Sequence, residues 1–128
     1  MSAYLLDTNA LYWLMTDDPS IGPRTRARIA AASVVAYSAA SIWELEIKRL
    51  LGRIARDKPF ERISPKTGLR EIPVTAAHAS AIGRITLPHR DPFDRMLLTQ
   101  AAAEGFTLLT SDRVLLGLGR SDVVDARL

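Results

Sequence analysis

The sequence predicts an α/β domain, a three-layer α/β/α sandwich whose central sheet is mainly parallel. Three observations lead there. Short apolar, β-branched or leucine-rich runs occur near residues 4–6, 33–38 and 106–110, too short for helices and bounded by turn formers. Each run is followed by a stretch with helical apolar spacing, and strands separated by helices favour a parallel sheet covered on both faces. Finally, the first and last of these runs break on a carboxylate, Asp7 and Asp112. In a parallel sheet every carboxyl end lies on one edge, the edge where open α/β sheets take ligands. The topology alone therefore brings Asp7 and Asp112 together.

The elements follow in order. Tyr4-Leu5-Leu6 reads as a buried strand, and Ala10, Leu11 and Leu14 then take up helical spacing. Residues 16–22 are turn formers, and Pro23 suits the first turn of a helix running to about Ala32, with Arg24, Arg26 and Arg28 outward. Residues 33–38 form the second strand. A helix from Ser41 to about Leu51 carries Trp43, Ile47, Leu50, Leu51 and Ile54 on one ridge, which Glu44 continues inward. Residues 55–68, which carry Asp57-Lys58-Pro59 and Ser64-Pro65-Lys66-Thr67-Gly68, read as irregular with at most a short helix. Leu69 to Val74 is an edge strand interrupted by Pro73, and Ala76 to Ile85 a helix of small residues. Residues 87–90 are a loop. Asp91 to Glu104 is a strong helix closed by Gly105, Phe106 to Thr110 a fourth strand, Ser111 to Leu116 a turn or short helix, and Asp122 to Ala126 a last strand.

Composition narrows the function. A chain of 128 residues that is 48% apolar suits one domain spanning 1–128, with a real core. No apolar run approaches the roughly 20 residues that span a bilayer, so the expectation is a soluble, cytoplasmic protein without membrane contact. There is no cysteine, hence no thiolate nucleophile and no Cys-based zinc site. Any metal falls to oxygen ligands or to His78 and His89, which favours hard cations. Of 17 basic residues all but Lys48, Lys58 and Lys66 are Arg, and the net charge is +3. Arginine in this excess suits phosphate contacts, or simply solvated faces.

Each acid admits two readings. Asp7, Asp91 and Asp112 stand where helix N-caps stand, Glu44 lies at the capping-box spacing from Ser41, and Asp94 suits the positive end of its helix. Asp91 and Asp94 also share a helix face. Four segments converging on one edge make a cluster that capping alone explains poorly, because neighbouring carboxylates repel unless a cation neutralises them. A divalent metal does that, and carboxylates with such an ion suit phosphoryl chemistry.

The pieces LLDTNALYWL at 5–14, SAASIWELEIKRLLGRI at 38–54, LPHRDPFDRMLLTQAAAEG at 87–105 and LLTSD at 108–112 resemble, in order, the PIN-domain ribonucleases, most closely the VapC toxins of toxin–antitoxin pairs. The resemblance implies a PIN-like α/β/α fold. It implies that Asp7, Glu44, Asp94 and Asp112 bind Mg²⁺ or Mn²⁺ and carry catalysis, with Asp91 an additional acid of the DPFD form. Thr8, Asn9 and Thr110 match positions that support the site through hydrogen bonds. It further implies endonucleolytic cleavage of RNA, inhibition by a VapB-like antitoxin that enters the acidic groove, and a homodimer whose apolar surface is sought on the helices after strands one and two.

The expected mechanism has Asp7 and Asp94 holding the principal Mg²⁺, Glu44 and Asp112 completing the shell or orienting the water, and in-line attack on a phosphodiester leaving a 5′-phosphate. Arg90, Arg95 and Arg113 are candidate phosphate contacts, or else surface partners of nearby acids. Two competitors remain. A metal-dependent phosphatase or phosphotransfer domain would use Asp7 as nucleophile, but Asp7-Thr8-Asn9 lacks the second Asp of a D-x-D pair. A non-catalytic RNA- or protein-binding module would be expected to lack one of the four acids.

Overall fold

A computed structural model describes residues 2–54, 68–86 and 91–128. The short helix expected after residue 55 and the loop at 87–90, with His89 and Arg90, lie outside the described residues. The elements are β1 (Ala3–Leu6), α1 (Thr8–Met15), α2 (Pro23–Ala31), β2 (Val34–Ser38), α3 (Ala39–Leu50), β3 (Arg70–Ile72), α4 (Ala76–Ala81) followed by a 3₁₀ turn, α5 (Pro92–Glu104), β4 (Thr107–Thr110), α6 (Arg113–Leu116) and β5 (Val123–Asp125). The strands form one sheet in the order β3-β2-β1-β4-β5, every pair parallel. β3, the strand that Pro73 ends, lies at the edge, where a missing ladder donor costs least.

Alternate side chains of each strand point to opposite faces, so consecutive leucines serve two cores. Leu5, Ala36 and Leu108 pack with Leu97, Leu98 and Ala101 of α5 and Leu115 of α6. Leu6, Tyr37 and Leu109 pack with Ala10 and Leu11 of α1, Leu45 of α3, and Ile21 and Ile29 in and before α2. The sheet is thereby covered on both sides, the three-layer arrangement expected. Fully buried leucines of this kind contribute roughly 1.5–3 kcal/mol each.

Three local readings change. The cap of α3 is Ser38, whose Oγ accepts the Ala40 N–H at 3.0 Å, so the helix starts directly from β2 and Ser41 is buried inside it. The Ser41–Glu44 capping box therefore does not form. The apolar ridge of α3 does not face the sheet either: Ala40, Ser41 and Leu45 do, while Trp43 is 64% and Leu50 79% exposed. Helical spacing shows which residues share a face, not which way that face is turned. Of the three arginines of α2 only Arg24 is fully exposed. Arg26 is half-buried, donating to Ile21 O at 3.2 Å and Asp18 O at 3.0 Å, and Arg28 is half-buried as well.

Candidate active site

Register decides what meets at the sheet's carboxyl edge. Leu6 pairs with Tyr37 and with Leu109, so the next residues, Asp7, Ser38 and Thr110, stand in one row. Asp7 continues the ladder by donating its N–H to Leu109 O at 2.9 Å. Its carboxylate then works in two directions. Oδ1 accepts the Ala10 N–H at 2.7 Å, capping α1, and Oδ2 accepts the Thr110 hydroxyl at 2.6 Å. The residue is 3% exposed. Burial pushes its pKa from 3.8 up to about 6, against the lowering effect of the Thr110 and Ala10 hydrogen bonds and with a further push from the Glu44 charge.

Glu44 reaches the same region from the first turns of α3. Thr8, buried at the start of α1, donates from Oγ1 to Glu44 Oε1 at 2.6 Å and lies 3.1 Å from Ser41 Oγ. Lys48, one helical turn on, holds its ammonium 3.6 Å from the other oxygen, Oε2.

The remaining acids come from two helix starts. Asp91 caps α5, its Oδ1 accepting from Phe93 N at 2.9 Å, and Pro92 opens the helix with no N–H to satisfy. Asp94 sits in the first turn of α5. Asp112 caps α6 by accepting from Leu115 N at 3.0 Å, while its own N–H donates to Thr110 Oγ1 at 3.0 Å. Capping and clustering are thus not alternatives. Asp7, Asp91 and Asp112 cap helices and, with Glu44 and Asp94, still line one open pocket of about 500 Å³.

The pocket wall also includes Thr8, Asn9, Ser111 and three basic residues, Lys48, Arg53 and Arg113. Arg113 was a sequence-level candidate; Lys48 and Arg53 were not. The i, i+4 spacing from Glu44 was a signal for Lys48. Arg53 is turned to the pocket by the end of α3, where Gly52 adopts φ +71° and the Arg53 N–H donates to Lys48 O at 2.9 Å, a Schellman closure. Arg95 does not line the pocket: its Nη1 donates to the carbonyls of Ile82 and Ile85 at 3.3 and 3.1 Å, tying α5 to the turn after α4. Through that nitrogen Arg95 serves the packing of the helix, while the phosphate contact expected of it is a separate matter for its other donors.

The donors fit a hard dication in kind. All are carboxylate oxygens, and the pocket has room for the waters that Mg²⁺ or Mn²⁺ retains. Their spacing is open, for among the described residues no three acidic or histidine side chains are gathered into a finished metal-binding group. His78 is committed elsewhere. Buried at 3% exposure, it accepts the Thr75 N–H on Nδ1 at 3.1 Å and meets Glu104 Oε1 from Nε2 at 2.9 Å, fastening α4 to α5.

Comparison with solved structures gives two close likenesses in fold. "Toxin-antitoxin complex from Klebsiella pneumoniae" is 19% identical, with a TM-score of 0.60, covering 96% of this chain and 97% of that one. "Structure of FitAB bound to IR36 DNA fragment" is 17% identical, with a TM-score of 0.67 over 98% and 96%. No curated protein matches the sequence. The PIN domain, as a sequence family, matches residues 4–120. With the acids of four segments on the carboxyl edge of a parallel sheet and that match over nearly its whole length, the chain belongs to the PIN domain family.

Proposed function

We propose that this chain is a Mg²⁺- or Mn²⁺-dependent endoribonuclease, a VapC-like toxin neutralised by a VapB-like antitoxin. The observation that carries the reading is the meeting of Asp7, Glu44, Asp94 and Asp112 in one pocket, with Asp7 so buried that its ionised form is disfavoured. Burying the Asp7 carboxylate is costly to the fold, and a cation in the pocket would offset that cost. PIN domains are generally nucleases, and of the two structural likenesses one is a toxin–antitoxin complex and the other, FitAB, is bound to a DNA fragment.

A divalent ion supplies charge neutralisation and activates a water for in-line attack on a phosphodiester. Asp7 and Asp94 would hold the ion. Glu44 and Asp112 would complete its surroundings and orient the water, and Asp91 borders them. Thr8 and Thr110 fix the carboxylates of Glu44 and Asp7 through 2.6 Å hydrogen bonds, so neither acid needs to be ordered when the ion arrives. Asn9 stands at the rim, and Arg113 would meet the nucleic-acid backbone.

An apolar groove lined by Ala40, Trp43, Ile47, Val74, Ile82, Phe93 and Met96 supports a protein–protein assembly. Its floor is set by Trp43 against Phe93, edge to face at 5.1 Å. We assign it to a second copy of the chain, which leaves the acidic pocket for antitoxin and substrate.

The test is Asp94→Asn, checked for folding and assayed with Mg²⁺ on single-stranded RNA and DNA. RNA cleavage is expected to fall by more than the roughly 10- to 100-fold that loss of an outer partner costs. Undiminished cleavage would remove the mechanism, and cleavage of DNA alone would change the substrate.

A further inference from the structure

We propose that Lys48 is the resident counterion of the acidic pocket: it neutralises Glu44 while no divalent cation is bound, yields that place when one enters, and then contacts a phosphate of the nucleic-acid strand. The inference rests on the nuclease reading above and deepens it by giving a basic residue of the same pocket its role.

Glu44 is held from both sides. Thr8 fixes Oε1 at 2.6 Å, and only Oε2 faces Lys48, at 3.6 Å. At that distance the two charges attract, but it exceeds the 2.7–3.2 Å of a good N–H···O hydrogen bond. The contact therefore neutralises without clamping. The side chains are 27% and 15% exposed, so the pair is far more withdrawn from water than Arg26–Asp17 at 40% and 91%. Attraction is correspondingly less screened, and an unmatched Glu44 would be correspondingly unfavourable.

A dication brings twice the charge and accepts several carboxylates at once, so it displaces a single ammonium from Glu44. Lys48 cannot leave with the exchange, because its backbone is part of α3. What the exchange frees is a compact, strongly hydrated charge on a flexible four-carbon stem, standing in the wall that also holds Asp7 and Asp94. A phosphodiester brought to those acids passes within its reach. The neighbouring Arg49 has no such freedom, since it pairs with Glu46 at 3.4 Å on another face of the helix.

The experiment compares wild type, Lys48→Met and Lys48→Arg in the full chain. Mn²⁺ affinity is measured by calorimetry without nucleic acid, and RNA cleavage is followed across a salt series. Lys48→Met keeps the stem and removes the charge. It is expected to bind Mn²⁺ about 2- to 5-fold tighter, the gain from deleting one competing pair. It should cleave RNA with a lower kcat/KM and a salt dependence shallower by about one phosphate contact. Lys48→Arg should restore both the metal affinity and the salt slope of wild type. If Lys48→Met binds Mn²⁺ no tighter, or keeps the wild-type salt slope, Lys48 is a helix-surface partner and the inference is overturned while the nuclease reading stands. If the wild-type chain binds no Mn²⁺ and cuts no RNA, the nuclease reading itself falls.

Discussion

Thr110 Oγ1 donates to Asp7 Oδ2 at 2.6 Å across 103 positions of sequence, and the same oxygen accepts the Asp112 N–H at 3.0 Å. One hydroxyl at the end of β4 thus sets a buried carboxylate and the start of the loop that delivers a second acid.

Thr110→Val keeps the shape of the side chain and removes both bonds. An unpaired buried acceptor and an unpaired N–H should destabilise the fold by about 2–3 kcal/mol, read as a lower urea midpoint with unchanged slope. Thr110→Ser should recover most of that loss. A Val variant as stable as wild type would show that water replaces the hydroxyl.

Asp7 makes stability depend on pH and on metal. Its carboxyl titrates near 3.8 ordinarily and at about 6 in the fold, so the folded state holds the proton more tightly than the unfolded one. Below about pH 4 both forms are protonated and the site costs nothing extra; as pH rises to about 6 the cost grows, reaching about 3 kcal/mol at most. Metal-free protein should therefore lose stability from this group between pH 4 and 6. Asp7→Asn should be more stable than wild type at pH 7.5 without metal, and should lose most of the stabilisation that millimolar Mg²⁺ gives wild type. Thermal melts at several pH values check both signs.

Trp43 is 64% exposed on α3 beside Phe93. In a monomer, Trp43→Glu would cost about 0.5–1.5 kcal/mol, the loss of its edge-to-face pair with Phe93, which leaves the fold intact. If the groove is filled by a second copy, the same change should convert a dimer to a monomer in analytical ultracentrifugation. Equal sedimentation of wild type and variant would place the dimer surface elsewhere.

Gly22 precedes α2 with an ordinary φ of −73°, so its importance is one of space. A Cβ there would run into the backbone of Arg127 and Leu128, whose carbonyls reach the start of α2: Leu128 O accepts from Arg24 N at 2.8 Å and Thr25 N at 3.1 Å. Gly22→Ala should cost about 1–3 kcal/mol, as overpacking does, and should loosen the C-terminal residues in hydrogen exchange.

Much of the molecule was legible in one dimension. The strands at 4–6, 33–38 and 106–110 and the helix after Asp91 stand close to where their apolar runs and caps put them, because local propensity and patterning act over the few residues that form an element. The approach of Asp7 to Asp112 was legible too, since parallel strands end on one edge whatever their order. Lys48 and Arg53 were readable in principle, from a helical repeat and a glycine closure, yet nothing local marks a basic residue as facing a pocket.

What the chain by itself determined is its elements, their parallel arrangement and the kinds of oxygen ligand it offers. Only the tertiary structure decided how α3 rotates against the sheet, turning Leu45 inward and Trp43 outward, and which groups a side chain engages: Arg95 Nη1 with the carbonyls of Ile82 and Ile85, and Thr8 with Glu44 rather than solvent. Those choices are differences of a few kcal/mol between alternatives that look alike from a few residues away. They are settled by distant side chains, brought near only when every strand has taken its place.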